Sequence, residues 1–111
     1  MARVQQILQI DHSNGESFSA LRDTANVKDV KQGRLVVAPN DNVKVSLSTG
    51  TISISLEVNS PIEVQLRDKG GKIPIYGFMV LNTLPNRPYD YMVIYNGNGD
   101  AVDINYLLVG V

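Results

Sequence analysis

The sequence predicts an all-β protein, namely an antiparallel β-sandwich of seven to eight strands with a jelly-roll-like or Greek-key strand order. From the middle of the chain onward, apolar and polar residues alternate with a period of two, as in strands that have one buried and one wet face. Turn signals recur about every ten residues, which favours short paired strands over βαβ units. A chain of 111 residues fits one domain, residues 1–111, with its own core.

The first segment, VQQILQI, carries two competing patterns. Val4, Ile7 and Leu8 have helical spacing, whereas Leu8 and Ile10 alternate as in a strand. The β-branched residues of this segment and the Ser-Asn-Gly turn that follows it favour the strand. We therefore expect a strand here, with a helix as the alternative.

The next segment, SFSALRDTANVKDVKQG, contains at most one short helix, near residues 17–26. Phe18, Leu21 and Ala25 would share one face of this helix, and Ser17 could cap its first turn. The helical pattern does not continue beyond that range. The secondary structure of this segment therefore stays open in the sequence.

Several strands are predicted across the middle of the chain. GRLVVAP at 33–39 is a strand that Pro39 ends, and NVKVSLSTGTISISLEV supplies strands on both sides of a Ser-Thr-Gly turn at 48–50. SPIEVQL continues the alternation. The side chains predicted to point into the core are Val43, Val45, Leu47, Ile52, Ile54, Leu56, Val58, Ile62, Val64 and Leu66.

The last third of the chain contains three more predicted strands. Paired glycines after Asp68 and Lys69 indicate a hairpin that leads into a strand near 73–82. TLPNRP at 83–88 indicates a rigid loop, because each proline removes a backbone donor. YDYMVIY and AVDINYLLVGV are then strands on either side of NGNGD, and Asn-Gly pairs between apolar strands predict a hairpin tip.

The NGNGD segment also comes close to a calcium loop. Asn96, Asn98 and Asp100 offer side-chain oxygens at every second position. A loop of the EF-hand type counted from Asn96 needs glycine at its sixth position and a bidentate glutamate at its twelfth, but the chain has Ala101 and Leu107 there. We therefore predict a turn and no metal site.

No enzyme signature emerges from the sequence. His12 is the single histidine and cysteine is absent, so one chain cannot build an imidazole-based triad, a catalytic thiol or a site of three histidines. Glu57 and Glu63 fall on the polar faces of their strands, which indicates solvated carboxylates rather than an acid–base pair. We predict no catalytic residues and no cofactor.

The charge balance and the hydropathy pattern limit the partners. Ten Lys and Arg against eleven Asp and Glu give a net charge of −1, so we expect no nucleic-acid binding. No apolar run approaches the roughly 20 residues that span a bilayer, and the N-terminal residues lack the features of a signal peptide. We expect no membrane partner and, outside a particle, a cytoplasmic location.

Tyrosine is the enriched aromatic residue, and all five tyrosines lie in the last third of the chain. Tyr89, Tyr91 and Tyr95 have the parity of one strand face. Tyr106 lies on the next strand, and Arg87 precedes the group in the proline-containing loop. We take these five residues as a candidate interaction surface. A half-buried core stripe, a protein interface and a small-molecule or glycan platform are the interpretations that remain open.

Both ends of the chain are apolar, with ILQI near the start and NYLLVGV at the end. Such ends stay ordered when they pair inside a sheet or against another subunit. We therefore predict a cyclic homo-oligomer, a trimer or a dimer, with the hairpin of residues 89–111 at or near its interface.

Across residues 33–111 the chain resembles, in overall character, the small all-β structural proteins of tailed bacteriophages. The shared features are the absence of cysteine, wet strand faces rich in Ser, Thr and Asn, and many turns. The resemblance carries no functional residue. It implies a non-enzymatic virion component (capsid decoration, neck or tail) that oligomerises and contacts other structural proteins. The alternative is a carbohydrate- or peptide-binding β-sandwich module.

Overall fold

The computed structural model describes residues 2–11, 13–47, 50–66, 70–82 and 89–111. Within these ranges all regular structure is β, which confirms the predicted all-β class. The eight strands described are β1 (Ala2–Asp11), β2 (Ser17–Val27), β3 (Asp29–Val37), β4 (Asp41–Ser46), β5 (Thr51–Gln65), β6 (Ile73–Asn82), β7 (Tyr91–Asn96) and β8 (Val102–Gly110). The predicted loop at 83–88 with Arg87, most of the Ser-Thr-Gly turn, Asp68, Lys69 and His12 lie outside the described residues.

Strands β3 to β8 form one curled antiparallel sheet in the order β3-β8-β5-β7-β4, with β6 on the other side of β5. The curl follows from the length of β5. Its first part, from Thr51 to Val58, pairs with β8, whereas Glu63–Gln65 pair with β7. The register against β6 shifts between Val58 and Ile62, and this irregularity contains Pro61, which has no backbone donor. One long strand therefore joins both halves of the sheet, in place of the two separate sheets of a simple sandwich.

The predicted short helix near 17–26 is wrong, because this segment is strand β2. β2 pairs with β1, with Phe18 opposite Ile10 and Leu21 opposite Ile7, and the register shifts near the base between Ala2 and Val4. The turn between them is fixed locally by Asn14, whose side-chain Oδ1 accepts a hydrogen bond of 3.0 Å from the Glu16 amide. Non-local pairing thus overrides the helical spacing of the apolar residues. The strand predicted for VQQILQI is confirmed.

The hairpin predicted at NGNGD is also wrong. β7 pairs with β4 and β5, and β8 pairs with β3 and β5, so the two strands that flank this turn are not partners. The strands on either side of the Ser-Thr-Gly turn, β4 and β5, are likewise not paired with each other. By contrast, β5 and β6 pair as the glycine-rich connection predicts, with Val64 opposite Ile73.

The predicted core is largely confirmed. Eight of the ten predicted residues are buried, and the other two, Val43 and Val45 of β4, are half-buried and pack against the core. Ile52 is buried in a second, smaller cluster with Val27 and Val109. A register shift between Thr51 and Ser53 separates Ile52 from the main core, since one extra residue moves the following side chains to the other face.

Strands β1 and β2 form a two-stranded ribbon, residues 2–11 and 13–27, which we call the arm. Its base packs on the outer face of the curled sheet through Val27, and Gln6 Nε2 donates a hydrogen bond of 2.8 Å to Ser53 Oγ. The Cα radius of gyration is 15.1 Å, whereas a compact chain of this length has about 13 Å. The molecule is therefore a closed body with a projecting arm.

Candidate interaction surfaces

Two of the predicted surface tyrosines, Tyr91 and Tyr95, lie together on the outer face of β7. Both are half-buried. The Lys44 ammonium lies 4.2 Å from the ring centroid of Tyr91, and that of Lys72 lies 4.1 Å from the ring centroid of Tyr95. The Tyr95 hydroxyl donates a hydrogen bond of 2.8 Å to Gln65 Oε1. Cations and an amide thus already cover these rings in part, and this face is amphipathic rather than apolar.

The other tyrosines of the predicted surface do not join this pair. Tyr89 and Tyr106 pack against the main core cluster. Tyr106 lies opposite Gly33 of β3, so close that a Cβ atom on Gly33 would be 2.5 Å from the tyrosine hydroxyl. Arg87 lies outside the described residues. The structure thus brings together Tyr91 and Tyr95 and places Tyr106 on the core side of another strand.

The segment that resembled a calcium loop is held by its own hydrogen bonds. Asn96 is 2% exposed, and its Nδ2 donates to the carbonyl oxygens of Val37, Ala38 and Asp100 at 3.1, 3.1 and 2.9 Å. Its Oδ1 accepts from the backbone and side-chain nitrogens of Asn98, both at 2.9 Å. The Asn96 oxygen that a cation would need is therefore already used. Among the described residues, no group of three or more His, Cys, Asp or Glu side chains is placed to hold a metal ion.

The distal arm, residues 7–11 and 13–21, is the most apolar exposed feature of the described chain. Ile7 is 67% exposed, Leu21 63% and Phe18 56%. Ile7 pairs with Leu21 across one face of the ribbon, and Ile10 pairs with Phe18 across the other. Each face of the distal arm consequently carries an exposed apolar pair, although Gln9, Asp11, Ser17 and Ser19 make the rest of the Ile7 face polar.

A groove of about 640 Å³ separates the arm from the outer face of the curled sheet. Phe78, Val80 and Leu107 contribute to it from the sheet, and Leu8 and Leu21 contribute from the arm. Its lining is thus predominantly apolar, with amide side chains of the arm and of β6 at its margins. Apolar grooves of this size are common binding surfaces.

Arg22 brings a charge into this groove. It is half-buried on β2, opposite Gln6 of β1, and it contributes to the groove lining. Its Nη1 is buried and has no hydrogen-bond partner among the described residues. A buried guanidinium nitrogen without an acceptor costs free energy, because its hydration has been lost and not replaced. The groove therefore favours an occupant that supplies an acceptor.

Strand β6 continues the apolar surface. Tyr76 is 74% exposed and Phe78 65%, and Val80 follows on the same outward face. Among the described residues β6 pairs with β5 alone, so its other edge offers unpaired backbone groups. An apolar edge strand is a site where another chain can add.

Sequence reasoning missed the arm and the β6 face as a candidate site. The signal was present in ILQI and IYGFMVLN, where large apolar residues occupy adjacent positions, and in SFSAL, where Phe18 and Leu21 are three positions apart instead of two. Such runs place apolar side chains on both faces of a strand. Only the pairing of β1 with β2 shows that the body leaves much of that surface uncovered.

Comparison with solved structures assigns the fold. A de novo designed double-stranded β-helix, known from a solution NMR structure, superposes with a TM-score of 0.55 and 15% sequence identity over 71% of this chain and 97% of the design. The fold is a double-stranded β-helix. The cupin domain of Schizosaccharomyces pombe Cnp3 aligns with a TM-score of 0.49 and 13% identity, over 96% of this chain and 84% of that domain.

No family model matches the chain, and no curated protein matches it. Among the described residues no helix is long and apolar enough to cross a membrane. A shared fold does not specify a function, so the function has to be argued from the surfaces described above.

Proposed function

We propose that this protein is a non-enzymatic structural protein that acts by self-association and by contact with other proteins of a larger assembly. The observation that supports the proposal best is the distal arm, in which large apolar side chains are exposed on both faces. A two-stranded ribbon is marginally stable by itself in water. Packing against another protein would stabilise it.

The total exposed surface supports the same proposal. The chain exposes 7176 Å², whereas a compact monomer of its mass exposes about 6,100 Å². The excess of about 1,000 Å² is comparable to the roughly 800 Å² that each partner buries in a standard protein interface. The monomer therefore exposes enough additional surface to form an interface of standard size.

The interior of the body supports a non-enzymatic role. The largest fully buried side chains, such as Ile54 and Met92, are apolar, and the fully buried polar ones, Asn96 and Ser53, are occupied by hydrogen bonds to the protein. Catalysis needs polar or charged groups that converge on a substrate, usually in a cavity. The main core instead consists of apolar side chains that pack against one another.

The proposed setting is a virion, as a capsid decoration, neck or tail protein, and it rests on the resemblance to phage structural proteins. The exposed arm is suited to such a setting, since neighbouring subunits at high local concentration would cover it. Mass spectrometry of purified particles from the source of the chain tests the setting. Absence of the chain from such particles would remove the virion from the proposal and leave self-association in place.

Sedimentation velocity over the micromolar range tests the proposal itself. We expect a homo-oligomer, a dimer or a trimer, in reversible equilibrium with monomer. A protein that sediments as a monomer at all these concentrations, with or without candidate assembly partners, contradicts the proposed function.

Peptide binding is the second candidate function, and the unpaired edge of β6 favours it. An extended peptide could add to that edge, with Phe78 and Val80 as apolar contacts. Binding of an extended apolar peptide that Val80→Asp abolishes would support this function. Glycan arrays test the carbohydrate alternative, for which Tyr76 and Phe78 are exposed rings.

A further inference from the structure

We propose that the groove beside the arm binds the distal arm of a second copy of this chain, so that two copies exchange arms reciprocally. The inference rests on the self-association proposed above and adds its contact surfaces. One contact surface is the distal arm, and the other is the groove wall formed by Phe78, Val80 and Leu107.

The exposed apolar pairs on both faces of the arm favour contact with a second molecule. The body of the same chain lies against one side of a ribbon and can cover that face only. Ile7 and Leu21 form a pair on one face, and Ile10 and Phe18 form a pair on the other, yet all four remain exposed. Complete burial of the distal arm therefore needs a surface that the chain itself does not supply.

The charges of the arm and the groove are complementary. Arg22 contributes to the groove with a buried nitrogen that lacks an acceptor among the described residues. The tip of the arm carries two exposed carboxylates, Asp11 and Glu16, close to the apolar residues Ile10 and Phe18. An arm that enters the groove of a second copy brings apolar side chains to an apolar wall and a carboxylate to an unpaired guanidinium. Such a pair forms charge-assisted hydrogen bonds.

The available area is sufficient for a stable dimer. The exposed large apolar residues of the distal arm and of residues 76–80 of β6 are Ile7, Leu8, Ile10, Phe18, Leu21, Tyr76, Phe78 and Val80. Each can lose roughly 100 Å² on burial, which amounts to about 800 Å² for each copy. The net charge of −1 adds little repulsion between copies.

Reciprocal exchange gives an isologous contact, in which each groove receives the other arm. Both interfaces then form in one closed dimer, and no free groove is left to recruit a third copy. This arrangement also protects the apolar arm from open-ended association.

A charge swap tests the proposed contact. In Arg22→Glu each groove would face the acidic arm tips of its partner, and in Asp11→Lys/Glu16→Lys each basic tip would face Arg22. We expect each variant alone to dissociate at least about tenfold more readily than the wild type, because like charges meet in both grooves. An equimolar mixture of the two variants restores opposite charges in both grooves and should recover the wild-type affinity by sedimentation. Dissociation without recovery in the mixture overturns the proposal.

Cysteine cross-linking tests the same contact without a change of charge. The chain has no cysteine, so single substitutions give unambiguous disulfides. A mixture of Phe18→Cys and Val80→Cys copies should form the mixed disulfide dimer under mild oxidation. A mixture of Phe18→Cys with Lys44→Cys is the matched control, since Lys44 is exposed on the outer face of β4, away from the groove. Equal cross-linking in both mixtures overturns the docking site.

The outcomes separate this inference from the function on which it rests. If the wild type is an oligomer, the charge variants associate as tightly as the wild type and no selective mixed disulfide forms, self-association stands and arm exchange is refuted. A wild-type protein that is monomeric throughout refutes both. Sedimentation of the wild type, but not of Phe18→Asp, with uncharged phospholipid vesicles would assign the distal arm to a lipid surface and overturn the inference.

Discussion

Asn96 connects three stretches of backbone through one buried side chain. Its amide donates to Val37 and Ala38 at the end of β3 and to Asp100 in the turn before β8. Asn98, held by Asn96, donates from Nδ2 to the Pro61 carbonyl at 2.7 Å. Asn96, which resembled a metal ligand in the sequence, therefore links the end of β3 to the turn before β8. Its hydrogen bonds hold this turn in place, although β7 and β8 do not form a hairpin.

Asn96→Ala should lower the free energy of unfolding by about 2–4 kcal/mol, because the carbonyls it serves lose their buried donor. Chemical denaturation with urea measures the effect. Asn105→Ala is the matched control, since Asn105 is exposed and its amide lies 3.5 Å from Glu57 Oε1. We expect this control to stay within about 0.5 kcal/mol of the wild type. Equal effects of the two substitutions would contradict the structural role of Asn96.

The ring of Tyr106 leaves no room for a side chain at Gly33. A Cβ atom at Gly33 would lie 2.5 Å from the tyrosine hydroxyl and 2.7 Å from Cζ, so Gly33→Ala forces the ring to move. We expect a loss of about 1–3 kcal/mol in thermal or urea unfolding, as for other overpacked sites. Gly97→Ala is the control, because a Cβ atom there meets nothing within 4 Å.

A double-mutant cycle isolates this contact. In a Tyr106→Ala background the substitution Gly33→Ala should cost almost nothing, since the steric conflict is gone. A cost that is the same in both backgrounds would show that Gly33 matters for its backbone and not for Tyr106.

The strands were predictable from the sequence where one face of the strand is buried and the other is exposed to solvent. The alternation from Ile54 to Val64 is clear because this part of β5 lies at the centre of the sheet and faces one core. The pattern fails at Ile52, where a bulge changes the face, and in β2, where the helical spacing of Phe18 and Leu21 is coincidental. A period identifies a face and not a partner strand, so the pairing of β7 and β8 with different parts of β5, instead of with each other, could not be predicted.

The distal arm should open more readily than the body in hydrogen exchange measured by mass spectrometry. Its amides pair across a two-stranded ribbon whose side chains are exposed, whereas those of β5 lie inside the curled sheet. We expect faster exchange at residues 7–21 than at residues 51–58 in dilute protein, and slower exchange at 7–21 as the concentration rises. Exchange in the arm that is as slow as in β5 at all concentrations would contradict an exposed arm.

At the scale of the whole molecule, assembly stays a prediction of the sequence, and the sequence pattern does not identify the arm as its contact surface. The predicted tyrosine surface is divided between an amphipathic outer face, which carries Tyr91 and Tyr95, and the core, against which Tyr106 packs. The arm and the β6 face provide the larger apolar area. Their proximity depends on how the ribbon crosses the sheet, which the local pattern of apolar residues does not encode.

The melting temperature should therefore depend on protein concentration. Association stabilises the folded state by mass action, so we expect differential scanning calorimetry to give a higher Tm at higher concentration. Ile10→Asp/Phe18→Asp should remove this dependence while leaving the body folded, because both side chains are exposed on the distal arm. Lys44→Asp, on the outer face of β4, should retain it. A Tm that is independent of concentration in the wild type would contradict assembly.

The place of β8 between β3 and β5 also bears on how the chain is made. Asp29 of β3 pairs with Gly110 of β8, and every other strand precedes β8 in the chain. Translation at about 5–20 residues per second leaves a few seconds in which β5 has emerged from the ribosome without its neighbour. During that interval the nascent chain exposes an apolar strand edge that holdase chaperones bind. The body can close only after β8 has left the exit tunnel, so β3 and β5 wait for the described strand that is made last.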